Sequence, residues 1–111
     1  MSKYFDRLCV AVCLDKISLD YPDNIEPFYP DFSIMAQLEL WKYLLRQDLN
    51  IQYYYIDKKY GLVIAEDDNN IFENEKWEEA LAALTAHLAY KKKVNKDEVR
   101  ALLLKWIDDW N

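Results

Sequence analysis

Leu49-Asn-Ile-Gln-Tyr-Tyr-Tyr-Ile-Asp-Lys-Lys-Tyr-Gly-Leu-Val-Ile-Ala65 is the stretch where the apolar pattern of the chain changes period. Ile51, Tyr53 and Tyr55 alternate with Gln52, Tyr54 and Ile56, and β-branched and aromatic residues at a spacing of two read as a strand. Asp57 to Gly61 reads as a hairpin loop, with Gly61 able to take a positive φ. Leu62 to Ala65 reads as the return strand. Two strands alone are marginal in water, so one face must pack on helices. Both faces carry large side chains, so one tyrosine face is expected to stay partly exposed.

Outward from the hairpin, the pattern is helical. Ser2 to about Ile17 reads as a first helix through Phe5, Leu8, Cys9, Val12 and Cys13. Residues 8–14 are apolar throughout, so a buried strand competes with that reading and would offer the hairpin a third strand. The connection from Asp20 to Pro30 holds all three prolines, with Tyr21, Phe28 and Tyr29 between them. A second helix is expected from about Asp31 to Asp48, capped by Asp31 or Ser33. Its expected buried stripe is Ile34, Leu38, Trp41, Leu45 and Leu49, widened by Leu40 and Leu44, which makes it the central helix.

After the hairpin, Glu66 to Asn70 reads as loop. Asn70 to Glu73 and Asn74 to Trp77 both offer helix starts, the first with capping-box spacing. The third helix continues to about Tyr90 through Trp77, Leu81, Leu84 and Leu88, and Lys91 to Lys93 close it. Asn95 to Glu98 caps a last helix with Val99, Leu102, Leu103, Trp106 and Trp110 on one face. The expectation is an α+β fold, about four helices and one β-hairpin at about 51–65, in a single domain over residues 1–111.

Composition narrows the function. The 111 residues include nine Tyr, four Trp and four Phe but a single glycine, Gly61, and the formal charge is −6. Seven acids and one base lie between Glu66 and Glu79, so that segment alone nets −6 and the remainder is formally neutral. A concentrated negative field opposes direct nucleic-acid binding and favours a basic protein partner. A solvated acidic face kept for solubility is the bland alternative. Part of the acidity has an ordinary use, since Glu73 and Glu75 suit a helix start. Glu66, Asp67 and Asp68 have none.

Enzyme chemistry finds little support. His87 is the lone histidine, and no Ser or Cys stands in a nucleophile context beside it. One glycine cannot build a phosphate loop. The Asp67–Asn70 oxygens lack calcium-loop spacing, and Cys9 and Cys13 with one distant His do not make a zinc site. The two cysteines are read as small buried side chains. No cofactor or metal is expected. No apolar run approaches a membrane span and the first residues lack a leader pattern, so the expected compartment is the cytoplasm.

In size, charge, aromatic content and α+β make-up the chain resembles the small cytoplasmic immunity proteins of bacterial toxin–immunity systems of the contact-dependent inhibition type. The resemblance implies a tight one-to-one complex with a basic, nuclease-like toxin domain. Tyr53, Tyr54, Tyr55 and Tyr60 would anchor it, and Glu66, Asp67, Asp68, Glu75, Glu78 and Glu79 would steer it. Two alternatives share these features. One is a phage-type inhibitor that mimics DNA charge. The other is an assembly module forming a homodimer, for which Trp110 near the end of the last helix is the candidate contact.

Overall fold

A computed structural model describes residues 3–14, 31–65 and 70–106. The proline-bearing connection, the acids Glu66, Asp67 and Asp68, and Asp108, Asp109 and Trp110 lie outside the described residues.

Among the described residues the order is α1 (Lys3–Ala11), α2 (Ile34–Arg46), β1 (Ile51–Ile56), β2 (Lys59–Ile64), β3 (Ile71–Asn74), α3 (Trp77–Tyr90) and α4 (Lys96–Trp106). The fold is α+β: four helices and an antiparallel sheet in the order β1-β2-β3. Residues 3–11 are helix, so the first apolar run does not supply a strand. The third strand comes from Ile71–Asn74, where capping-box spacing had suggested a helix start. Phe72 faces Leu62, and Glu73 faces Gly61. A four-residue segment bounded by polar residues satisfies both patterns locally, and the open side of β2 decides between them. The helix begins only at Trp77, after Asn74 Oδ1 accepts the Lys76 N–H at 3.0 Å.

The central helix is α3, not α2. Ala80, Leu81, Ala82, Leu84, Thr85, Ala86 and Leu88 are all buried, so α3 is enclosed around most of its girth. Thr85 is tolerated there because its hydroxyl donates to the Leu81 carbonyl at 2.8 Å. In α2 the buried residues are Ala36, Leu40, Tyr43 and Leu44. The expected stripe is turned outward: Ile34 is 79% exposed, Leu38 47% and Leu45 56%. Both stripes are apolar, so helical spacing alone cannot rank them. Ala36 permits close approach, and Tyr43 donates from its hydroxyl to Glu98 Oε1 of α4 at 3.4 Å. Ser33 joins the same pair of helices: its Oγ accepts the Ala36 N–H and donates to the Trp106 carbonyl at 2.9 Å. Asn95 Oδ1 caps α4 by accepting the Asp97 and Glu98 N–H groups.

One glycine forces other residues into left-handed backbone. Cys13, Asp57, Lys58 and Lys92 have φ of 61°, 54°, 63° and 57°, whereas Gly61 does not have positive φ. The hairpin therefore turns on Asp57-Lys58, a two-residue loop of the type that matches strand twist, and Gly61 lies within β2. Helices α1 and α3 end alike. Leu14 N–H reaches the Cys9 carbonyl and Cys13 N–H the Val10 carbonyl; Lys93 N–H reaches Leu88 and Lys92 N–H reaches Ala89. These are Schellman closures with Cys13 and Lys92 in the position glycine prefers. The closure turns Cys13 outward, so Cys9 is buried but Cys13 is exposed, contrary to the expectation that both are buried; neither is in a disulfide. Left-handed geometry costs a side-chain-bearing residue about 1–2 kcal/mol. Lys58→Gly and Lys92→Gly are each expected to stabilise the fold by about 0.5–1 kcal/mol, part of the relief being lost to a freer unfolded chain. Urea denaturation midpoints check this, and a lowered midpoint in either variant contradicts it.

Gly61 has a different purpose. A Cβ there would overlap Cζ of Tyr54, its cross-strand partner. The Tyr54 ring therefore lies flat across β2 and delivers its hydroxyl to Glu73 Oε2 on β3 at 2.8 Å. Lys59 Nζ approaches the other carboxylate oxygen at 3.8 Å. That hydrogen bond to the carboxylate, which stabilises the phenol over its anion, raises the Tyr54 pKa.

Candidate functional site

Cross-strand partners share a face of the sheet, and this sorts the tyrosines. Tyr53 stands in line with Leu62 and Phe72, Tyr55 with Tyr60, and Ile51 with Ile64. Leu62 and Ile64 are buried, so this is the inner face. Tyr54 lies on the outer face with Ile56, Val63 and Ile71. Helix α3 packs under β2 and β3, while β1 overhangs as an edge. Tyr53 and Tyr55 therefore point inward yet are each 54% exposed.

The overhang forms an aromatic cleft around Trp77, the first residue of α3. Its ring meets Trp41 of α2 edge-on at 5.2 Å, Tyr53 at 5.7 Å and Tyr60 at 6.1 Å between centroids. Tyr55 leans on Tyr60 at 4.7 Å. Trp41, Tyr53, Tyr60 and Trp77 line an open hollow of about 240 Å³. Edge-to-face pairs add about 0.5–1.5 kcal/mol each beyond the area they bury, so the cluster is rigid as well as apolar. The exposed α2 side chains Ile34, Leu38 and Leu45 follow Trp41 at helical spacing and carry the apolar surface away from the cleft.

The acids divide by position. Glu78 follows Trp77 directly and Glu75 follows Asn74, the strand partner of Tyr60, so both belong to the cleft end of the sheet. Glu79 turns toward α1, where its Oε2 accepts the Tyr4 backbone N–H at 3.3 Å. Of the residues expected to bind a partner, the structure brings Tyr53, Tyr55 and Tyr60 into one cleft with Glu75 and Glu78 at its end. It sets Tyr54 on the opposite face and Glu79 against α1; Glu66, Asp67 and Asp68 fall outside the described residues. Trp41 and Trp77 were missed as site residues. The available signal was Trp77 at the start of the first helix after the tyrosine hairpin, where the helix must meet the sheet.

A larger hollow of about 570 Å³ lies between α1, β3 and α3, with Tyr4, Arg7, Phe72, Glu79, Ala83 and His87 in its wall. His87 stacks obliquely against Phe72 at 5.2 Å. Among the described residues no Ser, Thr or Cys lines the hollow; Tyr4 and Tyr90 supply its hydroxyls. Among the described residues no cluster of three or more His, Cys, Asp or Glu can hold a metal, and no helix is long and apolar enough to cross a membrane.

Near this hollow Asp6 shows a local conflict. Its Oδ1 is buried with no hydrogen-bond partner among the described residues. Burial first, and then the nearby Glu79 charge, push its carboxyl above the usual carboxylate range. The folded chain thus holds this proton to higher pH than the unfolded chain. The contribution to stability is fully present below the unfolded pKa of about 3.9 and is lost as pH rises through the folded value. Asp6→Asn is therefore expected to be more stable than the wild type at neutral pH, with the gap closing on acidification. Denaturation at a series of pH values checks this, and a gap that does not change with pH contradicts it.

The chain matches no protein-family model, no curated protein and no solved structure.

Proposed function

We propose that this chain is a non-enzymatic acidic binding protein that neutralises a basic partner protein, in the manner of an immunity protein blocking a nuclease-like toxin domain. The observation that supports the reading is the half-exposed aromatic cleft around Trp77, with Glu75 and Glu78 at its end. Interfaces concentrate their energy in rigid aromatic anchors, and Trp and Tyr supply area at low rotamer cost. Contiguous exposed apolar surface rimmed by polar residues is a mark of interaction sites. Acids beside it add encounter rate and discrimination more than raw affinity.

Among the described residues the cleft is lined by Trp41, Tyr53, Tyr60 and Trp77, whose rings pack against one another. The test is titration of the chain with the C-terminal domain of the protein encoded in the adjacent upstream reading frame. A one-to-one complex that suppresses that domain's toxicity on co-expression is the expected result. An absence of binding, or binding unaffected by Trp41→Ala and Tyr53→Ala, would overturn the assignment.

A further inference from the structure

The β1 edge carries an inference that does not depend on the basic-partner reading. The two-residue turn makes Ile56 and Lys59 a hydrogen-bonded pair, and the Ala65 N–H to Asn50 carbonyl bond at 2.8 Å closes the same ladder at its other end. Alternation then assigns the β2-facing backbone groups to Gln52, Tyr54 and Ile56. The N–H and C=O of Tyr53 and Tyr55 point away from β2, and no backbone partner meets them among the described residues. Ile51 differs, because its N–H is turned back to the Leu49 carbonyl at 3.1 Å.

Edge strands are ordinarily blunted by a charge, a proline or a bulge. From Leu49 to Ile56 there is no charged residue and no proline, and the ladder with β2 has no bulge. The other edge, β3, carries Glu73, with Glu75 just beyond it. The unprotected edge is thus also the one with no charge of its own to select a basic strand.

We propose that β1 pairs antiparallel with β1 of a second copy about a two-fold axis at Tyr54. In this register Tyr53 N–H donates to the Tyr55 carbonyl of the second copy and Tyr55 N–H to the Tyr53 carbonyl, and the two-fold axis repeats both bonds. All the free groups of the two tyrosines are then satisfied. On the inner face Tyr53 stands opposite Tyr55, which joins the two aromatic clefts. On the outer face Gln52 stands opposite Ile56, which is 60% exposed in one copy alone. The charged Asp57 and Lys58 form the turn and Lys59 already belongs to β2, so the paired segment Ile51–Ile56 is uncharged throughout. No like charges face one another along the pairing.

Sedimentation equilibrium of the whole chain, from low to high micromolar concentration, tests this. Each copy carries −6. Dimerisation is therefore expected to strengthen between about 0.05 M and about 0.5 M salt as repulsion is screened, the opposite of a basic-partner complex. Q52E/I56E sets like charges opposite each other twice and is expected to weaken the dimer at least roughly tenfold. Q52K/I56E makes the same pairs attractive and should restore it. Both variants keep the Ile56→Glu change beside Lys59, so the monomer fold is retained in each, and circular dichroism checks it. A monomer at all concentrations, or a dimer to which the two double variants are indifferent, overturns the proposal. Neither result touches the one-to-one titration of the preceding section.

Discussion

Trp77→Ala is expected to lower the unfolding free energy by about 3 kcal/mol, the lower end of the range for removing a large aromatic side chain, because the ring is only half-buried. The residue closes three ring contacts, to Trp41, Tyr53 and Tyr60. It also opens α3, whose N-cap residue Lys76 offers no side-chain hydrogen bond. Removing the ring therefore loosens the helix start, the overhanging strand and the link to α2 together. Against a typical total of about 5–15 kcal/mol the loss is large. Affinity for the partner is expected to fall by at least about thirtyfold, corresponding to the roughly 2 kcal/mol that marks an interface hot spot. Urea denaturation and a binding titration measure the two effects. A stability loss below about 1 kcal/mol would mean that the rings touch without holding one another.

The second large effect separates the two apolar stripes of α2. Leu40→Ala and Leu44→Ala should each cost about 2–5 kcal/mol, since both side chains are fully enclosed and leave cavities. Leu38→Ala and Leu45→Ala should stay within about 0.5 kcal/mol in stability, as exposed positions do. The contrast inverts the order that helical spacing suggests. If the outward pair proved as costly as the inward pair, the orientation of α2 described above would be wrong. The outward pair should instead reduce partner binding, because Leu38 and Leu45 extend the surface that begins at Trp41.

The elements that were legible in the sequence are those where local pattern and tertiary demand agree. The Ile51–Ile56 strand is dense in β-branched and aromatic residues at a spacing of two, the Leu81, Leu84, Leu88 spacing admits only a helix, and Asn95 is a cap whatever surrounds it. The misread places are those where two local solutions are nearly equal and a distant neighbour decides. Ile71–Asn74 became a strand because β2 had a free side. Helix α2 offered two apolar stripes, and Ala36 with Tyr43 chose between them through α4. Gly61 looked like a turn residue, but its missing side chain is needed by the Tyr54 ring across the sheet. Cys13 had the spacing of a buried residue, but it sits one step past the helix, where a left-handed closure turns it outward. The aromatic cleft was half legible for the same reason. The tyrosine run announced a partly exposed tyrosine face, but which tyrosines join the cleft depends on the register of β1 against β2, and its centre, Trp77, comes from another element.

The central claim is that the Trp77 cleft and its acids receive a basic protein. The most direct measurement is the association rate with the C-terminal domain encoded in the adjacent upstream frame, as a function of ionic strength, for the wild type and for E75K/E78K. The account predicts a wild-type rate that falls steeply with salt and a double variant slowed at least about tenfold at low salt, the two converging as the charges are screened. A rate independent of salt, or one unchanged by reversing both charges, would contradict it.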